Sequence, residues 1–211
     1  MKDKWMLDVI EFITEHNGKI DNISFNDYFF FNINRFRLGR MMIYKNIQFD
    51  NDCKILDVGT PAPFQSLFLN KEHNCEVECL DVDNKEIELH KVKLTKKDII
   101  KDELDDVYDI VIMENILEYL PCNLINLREK IISNINNNGY MLVSFEISKY
   151  NNLPLHSRIS NYIPNHRKIR NFSYVEANKF CRSVNLFPLD KKILRHAGYS
   201  ETLIILAQVL T

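Results

Sequence analysis

The segment from Lys54 to Leu69, KILDVGTPAPFQSLFL, constrains the fold more than any other part of the chain. Its apolar run ends at Asp57-Val58-Gly59, a stretch with two prolines follows, and apolar residues return at helical spacing from Phe64. This order predicts a buried strand, a tight loop and a helix. The next apolar run, VECLDVD at 77–83, places Asp81 at the tip of a second strand. A helix start beside a strand-end acid can bind a ligand that carries a ribose, so we expect an adenosine-type cofactor.

Composition limits the class of protein. The chain has 211 residues, 45% of them apolar, which fits one domain of about 150–200 residues with a small appendage. A net charge of −2 gives no overall field that favours nucleic acid or an anionic membrane. Apolar runs such as 202–210 are about half the length of a membrane-spanning helix, and the charged N-terminus does not resemble a secretory signal. We therefore expect a cytoplasmic protein without a nucleic-acid or membrane partner.

The five cysteines include no CxxC pair. Cys75 and Cys79 are expected on one face of a predicted strand, which suits packed thiols in a reducing compartment better than a metal site. No metal is expected.

Strand and helix patterns alternate through the middle of the chain, which predicts a parallel sheet with helices on both faces. The C-terminal runs at 186–196 and 202–210 are too close in sequence for a parallel crossover, so they predict an antiparallel hairpin. The fold class is α/β, a doubly wound, Rossmann-like sheet of about seven strands. The other expected strands are 53–59, 75–82, 92–97, 108–114 and 140–147, and the expected helices are 63–71, 84–91, 123–134 and 174–184.

Helical patterns at 5–16 and 29–47 precede the first strand and do not belong to its sheet. They predict extra N-terminal helices, with residues 1–50 as a helical cap and 51–211 as the cofactor-binding domain. Within that domain, the polar segment 148–172 is expected to form a lid or acceptor-binding insertion.

Four segments in this order resemble the class I S-adenosylmethionine-dependent methyltransferases over about residues 52–211. ILDVGTPAPF stands where that family has its D-x-G-x-G-x-G loop, and VECLDVD matches its second strand with the ribose-binding acid. LTKKDI ends on Asp98 at a position that commonly contacts the adenine. YDIVIMENILEYLP is similar to the family's FDxVxxxxxLEHLxP segment. Pro61 and Pro63 replace the second and third glycines of the loop, and proline can neither donate an N–H nor flex as glycine does.

The resemblance implies an enzyme that uses S-adenosylmethionine and releases S-adenosylhomocysteine. It also implies which residues bind the cofactor. These residues are Asp57, Gly59, Thr60, Phe64, Asp81, Val82, Asp98, Glu114 and Leu117.

The acceptor site is expected around a basic segment. Residues 147–175 contain five Lys or Arg and no Asp or Glu, while the remainder of the chain carries −7. A basic lid would favour a phosphate- or carboxylate-bearing acceptor, and a solvated basic loop is the alternative. HRKIRNFSYVE resembles the H-x-R-x-x-T/S-x-x-E-L segment of small-molecule methyltransferases, which makes His166 the first candidate for a general base and His156 the second. The candidate substrate-binding residues are Tyr28, Arg158, Arg167 and Arg170.

The leading hypothesis is an O- or N-methyltransferase for a small molecule, such as an anionic or sugar-type metabolite of a surface-polysaccharide or natural-product pathway. The alternative is a non-catalytic binding or scaffold protein with the same fold. GTPAPF lacks the G-x-G-x-x-G of dehydrogenases. Glu114-Asn115-Ile116-Leu117 stands where nucleic-acid methyltransferases carry N/D-P-P-Y/F.

Overall fold

The computed structural model describes residues 25–49, 52–59, 64–83, 86–89, 91–148, 170–195 and 200–210. Within these ranges it contains four helices and eight strands. The helices are α1 (Phe25–Asn46), α2 (Phe64–His73), α3 (Leu124–Ser133) and α4 (Tyr174–Phe180). The strands are β1 (Lys54–Val58), β2 (Glu76–Asp81), β3 (Ile87–Leu89), β4 (Val92–Lys96), β5 (Tyr108–Met113), β6 (Ile135–Ser148), β7 (Leu186–Arg195) and β8 (Ser200–Val209).

All eight strands form one sheet in the order β3-β4-β2-β1-β5-β6-β8-β7. Strands β4, β2, β1, β5 and β6 are parallel, whereas β8 runs antiparallel to β6 and pairs with β7 as a hairpin. The doubly wound sheet and its C-terminal hairpin are therefore confirmed. The strand order reverses between β1 and β5, and a crevice at such a reversal is where open α/β sheets bind ligands.

One predicted helix is wrong. Residues 84–91 were expected to be helical, but Ile87–Leu89 form β3, which pairs antiparallel with β4 at the edge of the sheet. The pattern Ile87-Glu88-Leu89 alternates with the period of a strand, and Lys91 takes a left-handed φ of +65° in the turn that leads back into β4. The segment therefore turns back too soon to form a helix.

The helical pattern at 29–47 is confirmed as α1, while the pattern at 5–16 lies outside the described residues. Strand β6 begins at Ile135, earlier than expected, and its pairing with β5 shifts register between Tyr108 and Ile110. The domain boundaries stay predictions, and most of the expected lid at 148–172 lies outside the described residues. In the described part of the chain, no helix is long and apolar enough to cross a membrane.

Two apolar clusters pack on opposite faces of the sheet. On one face, Leu56 and its neighbours contact α3 and α4, and on the other face Ile55 and its neighbours contact α1 and α2. Asn123 caps α3 by accepting from the Ile125 N–H at 2.9 Å. A capping box between Ser173 and Glu176 starts α4.

The cysteine expectation needs a correction. Cys75 is not a free packed thiol, because it forms a disulfide with Cys53 across a Cα–Cα distance of 4.8 Å. Lys54 pairs with Glu76 in the sheet, so the residues just before β1 and β2 lie side by side. Cys79 is a buried cysteine outside this disulfide, and burial raises the pKa of its thiol. Disulfides are typical of oxidising compartments, so the cytoplasmic location stays a prediction.

Candidate active site

A group of buried polar side chains lies at the carboxyl ends of β1 and β5, where the strand order reverses. We call this group the polar floor. Each of its side chains belongs to a residue that is less than a tenth exposed. Its members are Arg35 from α1, Asp57 from β1, Gln65 and Ser66 from α2, and Glu114 directly after β5.

The packing of α1 brings these groups together. Ser66 Oγ donates to Asp57 Oδ2 at 2.5 Å, and Arg35 Nε lies 3.9 Å from Glu114 Oε1. Gly39 of α1 allows this approach, since a Cβ at that position would lie 2.5 Å from Gln65 Nε2 and 3.2 Å from Glu114 Oε1. A glycine inside a helix usually costs stability, and here it leaves room for the helix to lie against the floor.

Burial dominates the titration of the two acids. It raises the pKa of Asp57 to about 7, with the negative charge of Glu114 adding to the effect and Ser66 and Arg35 opposing it. Burial also raises the pKa of Glu114, and the Arg35 guanidinium opposes that shift. Both carboxyl groups therefore hold a proton more readily than an exposed acid does.

Several atoms of the polar floor have unmet hydrogen-bonding capacity. Arg35 Nε, both amide atoms of Gln65 and both carboxylate oxygens of Glu114 are buried without a hydrogen-bond partner among the described residues. A buried polar atom without a partner is costly, and proteins usually satisfy it with water or a ligand. The polar floor therefore has the properties of a binding surface.

Gly59 follows β1 at the carboxyl edge of the sheet. Its φ is +73°, and its N–H donates to the Leu80 carbonyl at 2.7 Å. A Cβ at Gly59 would collide with the Ile116 side chain. Glycine is therefore required at this position, because of its positive φ and because a side chain would collide with Ile116.

The predicted ribose and adenine residues lie along the same edge of the sheet. Asp81 ends β2, and its Oδ1 accepts from the Asp83 N–H at 3.0 Å. Val82, next in sequence, is 45% exposed and offers an apolar surface. The fully buried Leu117 packs into the apolar cluster on the α3 and α4 face.

Asp98 lies just beyond β4 at this edge, in a local turn. Its Oδ1 accepts from the Ile100 N–H at 2.9 Å, and its Oδ2 lies 3.0 Å from Lys101 Nζ. Burial acts to raise the pKa of Asp98, but the hydrogen bonds from Lys101 and Ile100 outweigh it and lower the pKa. Asp98 therefore stays ionised.

Arg170, a predicted substrate-binding residue, and Glu118, from the LEYLP motif, each form hydrogen bonds that hold the backbone of neighbouring segments. Arg170 donates through its guanidinium to the carbonyls of Leu120 and Cys122, at 2.6 and 2.9 Å, and thereby holds the loop after β5. Glu118, from the LEYLP motif, is buried and accepts from the Glu146 N–H of β6 at 2.6 Å.

For the remaining predicted site residues, the structure describes either the backbone alone or nothing. Phe64 begins α2, and Tyr28 lies in α1. Outside the described residues lie Thr60, His156, Arg158, His166 and Arg167, together with Pro61 and Pro63.

Sequence reasoning missed Arg35 and Gln65. Helical periodicity does not tell which polar side chain of a helix turns inward. The isolated Gly39 within the helical pattern RFRLGRMM was the available signal, because a glycine inside a helix often marks a close approach.

Two surface cavities lie away from the polar floor. One, of about 230 Å³, is lined by residues that include Lys54, Glu78 and Tyr108. The other, of about 360 Å³, lies beside Phe49 and His73, whose rings stack at 3.9 Å. None of the predicted site residues lines either cavity.

No family model matches the chain, and no curated protein is significantly similar to it. Solved structures do match it. The N-methyltransferase NodS from Bradyrhizobium japonicum WM9, in complex with S-adenosylhomocysteine, is 11% identical with a TM-score of 0.61, over 95% of this chain and 97% of that one. The 1,6-didemethyltoxoflavin-N1-methyltransferase from Burkholderia thailandensis, with bound 1,6-didemethyltoxoflavin and S-adenosylhomocysteine, is 12% identical with a TM-score of 0.64, over 100% and 92%.

A third match is the [4+2]-cyclase SpnF, 11% identical with a TM-score of 0.62, over 83% of this chain and 82% of that one. At these identities the likeness establishes the fold. The chain has the Rossmann-like fold of the class I S-adenosylmethionine-dependent methyltransferases, as the sequence resemblance implied.

Proposed function

We propose that this protein is an S-adenosylmethionine-dependent methyltransferase that acts on a small molecule. The observation that carries the proposal is the polar floor at the strand-order reversal, with two buried acids, an arginine and unmet hydrogen-bonding atoms. Its chemistry fits a cofactor with an amino-acid end. Asp81, on the neighbouring strand of the same edge, fits a ribose.

When bound, the cofactor supplies a methyl group on a positively charged sulfur, ready for displacement by an acceptor oxygen or nitrogen. The chain's own residues bind and orient the reactants. With the cofactor bound, Asp81 would accept hydrogen bonds from the ribose hydroxyls, and Val82 would offer an apolar surface to the adenine. Positioning contributes much of the acceleration of such a displacement. The other proposed cofactor residues are Asp57, Gly59, Thr60, Phe64, Asp98, Glu114 and Leu117.

The acceptor is proposed to bind under the basic segment. Five cations without an acid between residues 147 and 175 favour a phosphate- or carboxylate-bearing metabolite or an anionic sugar, methylated on oxygen or nitrogen. In this proposal His166 is the general base, His156 is the second candidate, and Tyr28, Arg158 and Arg167 contact the acceptor. Replacing His166 with Ala then lowers turnover by about 10²–10⁴-fold. Full activity of that variant on a verified acceptor contradicts the assignment of His166.

Thermal unfolding with added ligand tests the proposed cofactor. A ligand that binds only the folded chain raises the unfolding temperature, and the stabilisation grows with the logarithm of its concentration over Kd. S-adenosylhomocysteine should therefore raise it, and S-adenosylmethionine should do the same. No shift at millimolar concentration of either ligand contradicts the proposal.

A non-catalytic binding protein of the same fold is the second candidate. The packing of Ile116 against Gly59 favours this second candidate, because the Ile116 side chain fills the space directly beside Gly59. The match to a [4+2]-cyclase illustrates that the fold hosts other functions. Binding of S-adenosylmethionine without methyl transfer to any anionic or neutral acceptor of a broad panel supports this candidate.

A further inference from the structure

The cavity of about 360 Å³ lies where α1 and α2 end, just before β1 and β2. We call it the aromatic cavity, because most of the side chains that line it carry rings. Its volume lies within the range of small-molecule pockets, about 300–1,000 Å³. The polar floor lies at the carboxyl ends of the strands, so the aromatic cavity belongs to the opposite edge of the sheet. The residues that line it are Tyr44, Ile47, Phe49, Glu72 and His73.

The rings of the aromatic cavity form a corner. Phe49 and His73 stack with their planes 8° apart, at a centroid distance of 3.9 Å. The ring of Tyr44 stands at 77° to Phe49 and at 70° to His73. The face of an aromatic ring is its negative side and attracts a cation within about 6 Å of the centroid. Aromatic planes that meet in this way are the walls of the cages that bind alkylated ammonium groups.

The charges around the aromatic cavity also favour a cation. Glu72 brings a carboxylate, and no lysine or arginine is among the described residues that line the cavity. The Tyr44 hydroxyl donates to Glu72 Oε2, which holds the carboxylate beside the tyrosine ring. Lys45, the neighbour of Tyr44, pairs instead with Asp190 at 3.5 Å. Both α1 and α2 end here, and the carboxyl end of a helix favours positive charge.

The walls of the aromatic cavity are held in place by contacts within the chain. The Cys53–Cys75 disulfide joins the two links that follow Phe49 and His73. The Asn70 side chain donates to the Cys75 carbonyl at 2.7 Å, which ties the last turn of α2 to the same link. A site formed before its ligand arrives loses less conformational entropy on binding.

We propose that the aromatic cavity binds an alkylated ammonium cation, such as a trimethylammonium group, as a second ligand of this protein. Tyr44 and the stacked pair contact the alkyl groups of the cation through their rings, and Glu72 supplies the counter-charge. The buried Ile47 adds apolar surface. A neutral molecule of the same shape gains the apolar contacts alone. This inference goes beyond the proposed function and does not depend on it.

A matched pair of ligands tests the inference. Choline and 3,3-dimethylbutan-1-ol have the same shape, but only choline carries a positive charge. In an NMR titration at constant ionic strength, choline should bind with a Kd of about 1 mM or tighter, and the neutral alcohol about tenfold or more weakly. The methyl protons of bound choline should show magnetisation transfer from the ring protons of Tyr44 and Phe49.

Variants locate the effect. Glu72→Gln should weaken choline binding by about 3–5-fold, since it removes an exposed counter-charge, and should leave binding of the alcohol unchanged. Phe49→Leu should weaken choline binding by about 3–10-fold, because it removes an aromatic face and keeps an apolar side chain. Glu103→Gln and Phe187→Leu are the matched controls, since both residues are exposed and neither lines the cavity. If Phe49→Leu does not fold, Glu72→Gln decides the matter.

Three outcomes overturn the inference. They are equal affinity for choline and the alcohol, full choline affinity in folded Glu72→Gln, and no saturable choline binding below about 10 mM. None of these measurements involves S-adenosylmethionine or its product, so each of these outcomes leaves the proposed function standing. Failure of S-adenosylhomocysteine to bind would in turn leave the aromatic cavity as the binding site of this chain.

Discussion

The sheet carries two polar clusters, one on each face. The polar floor lies on the α1 face and buries atoms that have no hydrogen-bond partner among the described residues. The other cluster, which we call the back-face network, consists of Lys54, Glu78, Thr95, Asp106 and Tyr108 and lines or borders the cavity of about 230 Å³. There Tyr108 OH and Thr95 Oγ1 donate to the two oxygens of Glu78 at 2.5 and 2.8 Å.

This difference separates two uses of polar residues. In the back-face network Lys54 Nζ also pairs with Asp106 Oδ2 at 2.5 Å, so its polar groups are satisfied within the chain and act on stability. In the polar floor the unmet groups lower the stability of the free protein, and a ligand bonded to them would offset that cost. Changes near the back-face network should alter stability without altering cofactor affinity. Changes in the polar floor should alter affinity, and replacing the buried acid Asp57 with a neutral side chain should stabilise the free chain near neutral pH.

The largest expected effect on stability comes from the Cys53–Cys75 disulfide, which lies in the apolar cluster of the α1 face, just before β1 and β2 and at the opposite end of these strands from the polar floor. Replacing both cysteines with alanine should lower the free energy of unfolding by about 3 kcal/mol, because the bond closes a loop between residues 22 apart in sequence. Urea unfolding measures the change. Cofactor affinity should stay the same. A double variant as stable as the wild type contradicts the assigned bond.

The second effect concerns Asp57 and pH. Its pKa in the folded chain is about 7, above the ordinary 3.8, so the folded state binds more protons between these values. Stability is therefore greatest below about pH 4 for this group and falls as pH rises to about 7. Asparagine cannot ionise, so between about pH 4 and pH 7 the Asp57→Asn variant should lose about 2–3 kcal/mol less unfolding free energy than the wild type. Urea unfolding from pH 5 to pH 8 measures the slope.

Asp52→Asn is the control for that experiment. Asp52 is exposed, and its left-handed φ of +74° suits asparagine. The change of stability with pH in Asp52→Asn should match that of the wild type. In both proteins Asp57 titrates beside the other charged groups of the floor, Glu114 and Arg35. An identical slope in Asp57→Asn and the wild type contradicts the burial of an ionisable Asp57.

The smallest effect is expected from Tyr108→Phe in the back-face network. The variant loses the hydrogen bond to Glu78 and should be about 1 kcal/mol less stable. Burial and the Glu78 carboxylate raise the pKa of Tyr108, so its hydroxyl stays a donor at neutral pH. S-adenosylhomocysteine should bind the variant as it binds the wild type. Weaker binding would show that the two clusters are not independent.

The sequence predicted the central part of the fold because its periodicity was clear. The apolar pattern from Lys54 through Asp81 predicted β1, α2 and β2. The short link between the last two apolar runs predicted the hairpin of β7 and β8. Edge strand β3 was missed because a run of three residues between charged neighbours carries too little periodicity to distinguish a strand from a helix.

The candidate site was predicted only where strand ends define it. Asp57, Asp81 and Glu114 lie at the carboxyl edge of the sheet, and strand patterns could locate that edge. Arg35 and Gln65 could not be predicted in the same way, since their inward position depends on how α1 and α2 pack on the sheet. The disulfide likewise follows from the register of β1 and β2, which strand patterns alone do not give.

The central claim is that the carboxyl edge of this sheet binds the cofactor, and calorimetry with S-adenosylhomocysteine on the wild type and on Asp81→Ala tests it most directly. Asp83→Ala is the control, because Asp83 is an exposed acid two residues away. We predict one site per chain, affinity weaker by about 1.5–3 kcal/mol in Asp81→Ala, and unchanged affinity in the control. No binding to the wild type, or equal binding to Asp81→Ala and the wild type, would contradict the account.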